Sequence, residues 1–329
     1  MNPFWTPSIQ HRCGRLAMGV LLAGAGLAAH AQAAFPSRPV QVLVPFAPGG
    51  GLDLNARRFS QALAQQLGQP VVVTNRDGAA GAIGIQQLVR ALPDGYSLAF
   101  SPAVPLTSEP HRNAKLPYRL KDVQPVCQLF DNIFGVIVPR NAAAQNIADL
   151  IARARKAPGS IGYGSSGTGS IAHLGIADIE ASTGAVFNHI PYKGDGPMLH
   201  DLLANRLEFG AMLASSATSH IHSGSLKLLA VFSAKRHPMF PDVPTLMESG
   251  IAVEQASFGG LFAPSSTPAP VVKALEKACQ GASADAGYRQ WAQQNNQVLD
   301  YQNAAAFRAR LARDFELKKA TIERLGLLN

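Results

Sequence analysis

Apolar residues alternate in Pro39-Val40-Gln41-Val42-Leu43-Val44-Pro45, where Val40, Val42 and Val44 predict a strand. Pro48-Gly49-Gly50-Gly51 ends it. Leu52, Ala56, Phe59, Leu63 and Leu67 then recur every three or four residues. That period predicts a helix from about Asp53 to Leu67, with Gly68 at its stop. The pattern repeats. Val71-Val72-Val73 reads as a short buried strand, and Ile85, Leu88 and Val89 mark one face of a helix. Pro93-Asp94-Gly95 is a turn before a strand over Tyr96 to Phe100. Strands alternating with helices predict a parallel sheet.

Two apolar runs, Val126 to Phe130 and Ile133 to Val138, could carry the chain into a second domain. Beyond them a helix is predicted over Ile147 to Lys156, a strand over Ser160 to Tyr163 and a helix from Ile171. Strands follow at Phe187 to Ile190, Leu207 to Leu213 and Leu226 to Phe232, with a helix over Pro197 to Ala204 between the first two. Late helices over Pro270 to Cys279 and Ala304 to Arg324 close the chain.

The amino terminus has a different pattern. Arg12 and Arg15 precede an apolar run from Leu16 to Ala29, and Ala29-His30-Ala31 and Ala31-Gln32-Ala33 both suit signal peptidase. The run is short and rich in Gly and Ala for a membrane span. Residues 1–33 are therefore expected to be a signal peptide, cleaved near Ala31 or Ala33, that exports the chain to the periplasm. The roughly 295 residues that follow usually make two domains. Losing the leader removes two Arg and no acid, so the formal charge falls from +8 to +6 (8 − 2). A moderately basic exported protein suits an anionic ligand. No Lys/Arg cluster with interleaved aromatics appears, so nucleic acid is not expected as a partner. Cys127 and Cys279 survive processing, and their separate apolar contexts predict two separately buried thiols.

Two Gly-rich turns lie between a strand and a helix. One is Phe46-Ala47-Pro48-Gly49-Gly50-Gly51 and the other Gly164-Ser165-Ser166-Gly167-Thr168-Gly169-Ser170. Glycine lets backbone approach a ligand closely, and the helix that follows presents unpaired N–H groups with partial positive charge. Such a turn suits a carboxylate or phosphate. Ser170 can cap its helix, while Ser165, Ser166 and Thr168 can donate hydroxyl hydrogen bonds. His173, on the first turn, either reaches a ligand or packs with Leu174. A third loop, Tyr192-Lys193-Gly194-Asp195-Gly196, sets an aromatic, a cation and an acid beside glycines; Lys193 either draws in anions or is simply solvated.

Catalytic motifs fail. Thr168 stands where G-x-S-x-G around Ser166 needs glycine, no phosphate-loop signature exists, and the dinucleotide fingerprint is incomplete. His220 and His222 lack further ligands nearby, so no metal site and no cofactor are expected.

Several motifs in order resemble the Bug (Bordetella uptake gene) or TctC family of periplasmic solute receptors. They are Phe35-Pro36-Ser37-Arg38-Pro39-Val40, Val44 to Gly51 with Asp53 and Ala56-Arg57, Asn75-Arg76 with Gly78, Gly81 and Gly84, and Pro93-Asp94-Gly95-Tyr96. Tyr163 to Ser170 with His173-Leu174, Pro191-Tyr192-Lys193-Gly194, Ser233 to Arg236, Pro241 to Thr245 and Gly260 to Pro264 continue the series. The resemblance implies an α/β, two-lobe periplasmic binding protein of the Venus flytrap, type II-like kind, with a central ligand cleft. Lobe 1 would comprise 35–132 plus 235–329, and lobe 2 would comprise 133–234. A small carboxylate (an amino acid, a di- or tricarboxylate or an aromatic acid) would be held by Phe46, Ala47, Gly50 and Gly51 from one lobe. Ser165, Ser166, Thr168, Gly169 and Ser170 would act from the other, with Tyr192, Lys193 and Gly194 nearby. The expected partner is a two-subunit membrane permease, or else a regulatory sensor, and the expected state is a monomer. The rival from another class is a periplasmic hydrolase or isomerase on the same architecture. Three departures bear on the ligand. Leu52 replaces a usual hydroxyl residue, Ser257-Phe258-Gly259 replaces a more aromatic stretch, and Asp195, in place of a small residue, could accept from an amine or hydroxyl of the ligand.

Overall fold

Val40, Val42 and Val44 are fully buried while Gln41 is exposed, as strand alternation demands. The computed structural model describes Met1 and residues 35–327; the leader expected over 1–33 otherwise lies outside the described residues. From the start, β1 (Val40–Val44), α1 (Gly51–Leu67), β2 (Val71–Asn75), α2 (Ala82–Val89) and β3 (Ser97–Pro102) follow one another. Two single-turn helices, α3 (Val104–Thr107) and α4 (Glu109–Arg112), lead to β4 (Val123–Asn132). Gly68 closes α1 in the left-handed conformation, φ 63°, as its sequence position predicts.

The chain then enters a second lobe. It contains β5 (Phe134–Pro139), α5 (Ile147–Lys156), β6 (Gly162–Ser165), α6 (Ile171–Thr183), β7 (Asn188–Pro191), α7 (Asp195–Leu203), β8 (Phe209–Leu213), α8 (Thr218–His222) and β9 (Leu226–Val231). It returns through β10 (Ser257–Pro264), α9 (Ala269–Ser283), α10 (Ala286–Gln294), β11 (Val298–Asn303) and α11 (Ala304–Arg324). The first lobe holds a six-stranded sheet in the order β11-β4-β10-β3-β1-β2, and the second a five-stranded sheet in the order β7-β6-β8-β5-β9.

Neither sheet is wholly parallel. β1, β2 and β3 are parallel, but β10 lies antiparallel between β3 and β4. β5 is antiparallel to both β8 and β9. β5 and β10, the first strand of each lobe after a crossing, run against their neighbours, and β11 is antiparallel to β4, which a local βα pattern does not reveal. Where β10 crosses the first sheet its neighbours press close. A Cβ on Gly260 would run into the carbonyl oxygen of Cys127.

The first crossing is the single residue Ile133, between β4 and β5. The second falls near Gln255. Leu246, Ile251 and Val253 pack in the second lobe's core, whereas Ala256 joins the first lobe's. The stretch after position 235 thus stays with the second lobe for about twenty residues more, because its apolar side chains cover that sheet. Cys127 and Cys279 correct the expectation of separate thiols. Strand β4 and helix α9 face each other across the first core, which brings the Cα atoms to 6.6 Å and the sulfurs into a disulfide. Among the described residues no helix is long and apolar enough to cross a membrane.

Candidate functional site

Strand directions place the loops. β4 runs into the crossing at Ile133, and β1 and β3 run the same way, each being related to β4 through β10 or β3. Their carboxyl ends therefore face the junction between lobes. β5 leaves that junction, β8 runs back towards it, and β6 and β7 are parallel to β8. The turns after β1, β6 and β7 consequently border one interlobe cleft, the side of an open α/β sheet where ligands collect.

On the first lobe, Ala47 to Gly51 are exposed and Phe46 is half-buried. Gly50 begins α1 with extended backbone and no side-chain cap, so the first N–H groups of this 17-residue helix meet solvent at its positive end. The turn is held from beneath by Asp53, 2% exposed. Its Oδ2 accepts from Gly49 N–H at 2.9 Å and from Arg57 Nε at 2.9 Å, and its Oδ1 accepts from Asn75 Nδ2 at 2.9 Å. Asn75 Nδ2 also donates to the Phe46 carbonyl at 3.1 Å. Burial pushes the Asp53 carboxyl up, but the bonds from Arg57, Gly49 and Asn75 outweigh it and hold it below the ordinary value.

On the second lobe, Gly167 and Gly169 take φ of 122° and 76°, which turns the chain from β6 into α6. Ser170 caps α6, accepting from His173 N–H at 3.3 Å. Ser165 is fully buried and its hydroxyl is occupied. It sits 2.7 Å from His189 Nε2, donates to the Gly167 carbonyl at 3.1 Å and accepts from Gly167 N–H at 3.2 Å. Ser165 thus shapes the loop rather than facing the cleft. Ser166 and Thr168 keep hydroxyls with no hydrogen bond among the described residues, and Thr168 is exposed. His173 Nδ1 accepts from Gly169 N–H at 3.0 Å, and its ring stacks on His189 with centroids 4.1 Å apart. Burial, with His173 adding to it, pushes His189 down to about 4, and burial also lowers His173, so both rings are neutral near pH 7.

The third loop divides its roles. Tyr192 N–H continues the pairing of β7 with β6, donating to the Ser165 carbonyl at 2.9 Å. Its hydroxyl donates to Asp201 at 2.7 Å, so the side chain serves α7. Lys193 is exposed, and Gly194 precedes α7 without a side-chain cap. Asp195 Oδ2 accepts from Leu213 N–H at 3.3 Å and Ser216 Oγ at 2.9 Å, tying the turn after β8 to α7. Burial raises this carboxyl against those two bonds.

Residues 55–327 match the sequence profile of the tripartite tricarboxylate transporter family receptor, TctC. This chain belongs to that receptor family. It is 36% identical to the BugT protein of Bordetella pertussis, over 79% of this chain and 81% of the relative. A TctC solute binding protein from Polaromonas, solved without ligand, superposes with a TM-score of 0.83 at 31% identity, over 88% of this chain and 99% of the other. An R. palustris protein solved with adipate superposes at 0.72 with 26% identity, over 89% of this chain and 98% of the other. In this TctC receptor, sequence patterns find both Gly-rich turns and include Asp53, Arg57 and Asn75 among the family motifs, but do not reveal that these three hold the first turn from beneath. Asp53 reads as a first-turn acid, and His189 lies on a strand with no motif of its own.

Proposed function

We propose that this TctC receptor captures a small carboxylate in the periplasm and passes it to a two-subunit permease. The observation that carries this reading is the pair of glycine turns at facing lobe ends, each opening a long helix. An anion entering the cleft bonds the backbone of Gly50 and Gly51 from one side. The backbone of Thr168 acts from the other, with the Ser166 and Thr168 hydroxyls added. The closed form gains contacts that the open form lacks, and this difference is what lets a ligand shift the lobes. The adipate bound by the R. palustris relative supports a carboxylate. Asp195 Oδ1, with no hydrogen bond among the described residues, suits an amine or hydroxyl on the same ligand. A thermal shift screen of refolded, ligand-stripped protein against amino acids, di- and tricarboxylates and aromatic acids tests the reading. A true ligand at a hundred times its Kd stabilises by about 2.7 kcal/mol. Absence of any shift across the panel contradicts the assignment.

One observation favours a second reading. Ser165 Oγ and His189 Nε2 are at nucleophile–base distance, 2.7 Å. Three features oppose a hydrolase. Ser165 is buried, its hydroxyl is locked to Gly167 on two sides, and a histidine held near 4 is a weak base at neutral pH. Recovery of unchanged ligand after prolonged incubation supports the receptor, and turnover that Ser165→Ala abolishes supports the enzyme.

A further inference from the structure

A cavity of about 580 Å³ lies where the two lobes meet, away from the glycine turns. Strand order fixes its place. β11 is the edge strand beyond β4 in the first sheet, and β9 is the edge strand beyond β5 in the second. Val298 at the start of β11 and Ala309 of α11 line the cavity from the first lobe. Ala234 and Pro238, which follow β9, line it from the second, and the crossing residue Ile133 lines it between them. β1 and β6, whose turns border the cleft, stand on the far side of β4 and β5 in their sheets. The crossing strands therefore separate this rear cavity from the cleft. Its volume falls within the range of small-molecule sites, about 300–1,000 Å³.

Its charges are unevenly placed. Asp131, Asp300 and Glu254 line it with side chains 13%, 30% and 22% exposed. Of the cations lining it among the described residues, only Arg310, at 12%, lies as deep; Lys235, Arg236 and Arg313 are exposed at the rim. Arg310 is fixed in place. Its Nη2 donates to Asp131 Oδ2 at 2.8 Å, its Nη1 to Asp300 Oδ2 at 3.4 Å, and its Cζ sits 4.0 Å from the centroid of the Phe258 ring. Asp300 Oδ2 also accepts from Gln128 Nε2 at 2.6 Å and Gln302 Nε2 at 2.9 Å, and Glu254 Oε1 accepts from Arg313 Nη2 at 3.2 Å. All these bonds fall on one oxygen of each acid. Asp131 Oδ1, Asp300 Oδ1 and Glu254 Oε2 accept no hydrogen bond among the described residues. Burial pushes the Asp131 carboxyl up to about 6 against the pull of Arg310, and Asp300 and Glu254 add to the rise. Three carboxylates around one deep guanidinium leave the interior negative.

An alkylammonium ion suits both features. Its N–H groups are donors for carboxylate oxygens, and its hydrocarbon body suits the Ile, Val, Ala and Pro walls. A carboxylate would meet like charge at the same depth. We propose that this rear cavity is a second small-molecule site, separate from the cleft, that takes a primary amine with an apolar body. Asp131 and Asp300, which flank Arg310, receive the ammonium, and the walls from both lobes enclose the body.

The test is calorimetric titration of the receptor, with amide chemical shifts, against matched sets of one body and three head groups. The sets are hexylamine, hexanol and hexanoate; benzylamine, benzyl alcohol and benzoate; and cyclohexylmethylamine, cyclohexylmethanol and cyclohexanecarboxylate. At least one amine is expected to bind about tenfold or more tightly than its alcohol, as a hydrogen bond to a charged group provides. Its shifts should fall on Ile133, Lys235 and Val298 and spare the glycine turns. Asp300→Asn should lower that affinity about tenfold. Ala309→Trp, at an exposed position of α11, fills the cavity without touching the acids and should remove the binding. Circular dichroism and melting establish that each variant is folded. The proposal is overturned if no amine shifts those amides, if an alcohol or acid binds there as tightly as its amine, or if either variant binds the amine unchanged. An acid that instead shifts the glycine turns supports the cleft reading separately, whatever the amines do.

Discussion

Replacing Asp53 by asparagine keeps the shape of the side chain and removes its charge. The carboxylate accepts from Gly49 N–H, Arg57 Nε and Asn75 Nδ2, each at 2.9 Å, and the residue is 2% exposed. An amide keeps one acceptor and turns an N–H₂ towards a donor, so at least one of these bonds becomes a donor–donor contact. Hydrogen bonds to a charged group are each worth about 1.5–3 kcal/mol. The Arg57 contribution is discounted, since that side chain is 46% exposed and rehydrates. The expected loss is about 2–4 kcal/mol, or roughly 3–7 °C in Tm for a protein of this size. Because the Asp53 carboxyl is held below 3.8, its stabilisation is present above that pH and fades as the pH falls through the lower folded value. The melting curves of wild type and Asp53→Asn should therefore stay apart at about pH 4 and converge only as the pH falls through that lower folded value. Releasing the turn also makes the ligand order it. A cost near that of fixing one residue's backbone, about 1–2 kcal/mol, weakens binding about tenfold. Scanning calorimetry from pH 3 to 8, with a titration at pH 7, reads both effects. A variant that melts within about 2 °C of wild type at pH 7 and binds equally well refutes the reasoning.

Two further outcomes follow from the same structure. The Cys127–Cys279 bridge spans 152 residues of sequence and ties α9 to β4. The Cys127→Ala/Cys279→Ala double variant should lose on the order of 2–5 kcal/mol in urea denaturation, and an unchanged midpoint would show that the bridge contributes nothing. Lowering the pH should destabilise the protein from about 6.5 towards 4. The unfolded chain protonates His189 near 6.5, whereas the folded chain resists until about 4. A Tm that is flat between pH 7 and 5, or an equal slope in His173→Gln/His189→Gln, contradicts this.

The sequence discloses what local pattern encodes and conceals what depends on distant partners. Valine alternation at 40–44, the three-to-four spacing of α1 and the two glycine turns are all readable, because each arises from neighbours in sequence. Strand β10 is not, since Gly259 and Gly260 give it little strand character; their purpose is close packing on β3 and β4. Helix α10 and strand β11 pass unremarked for lack of an apolar period. The disulfide joins residues in apolar runs that look like ordinary core, and only the packing of α9 on β4 pairs them. In the site, backbone donors follow from the glycines; Asp53 stands in a family motif without its supporting role being readable, and His189 carries no signature. Tyr192 shows the opposite case. It resembles a ligand contact in sequence, yet its hydroxyl is already bonded to Asp201.

Amide chemical shifts in a carboxylate titration test the two-loop clamp most directly. With the best acid from the panel, the largest changes should fall on Gly50, Gly51 and Leu52 of one lobe and on Thr168 to Ile171 of the other. Changes confined to one lobe, or gathered instead around the cavity of about 580 Å³ that Asp131, Lys235 and Arg310 line near the crossing strands, would contradict it.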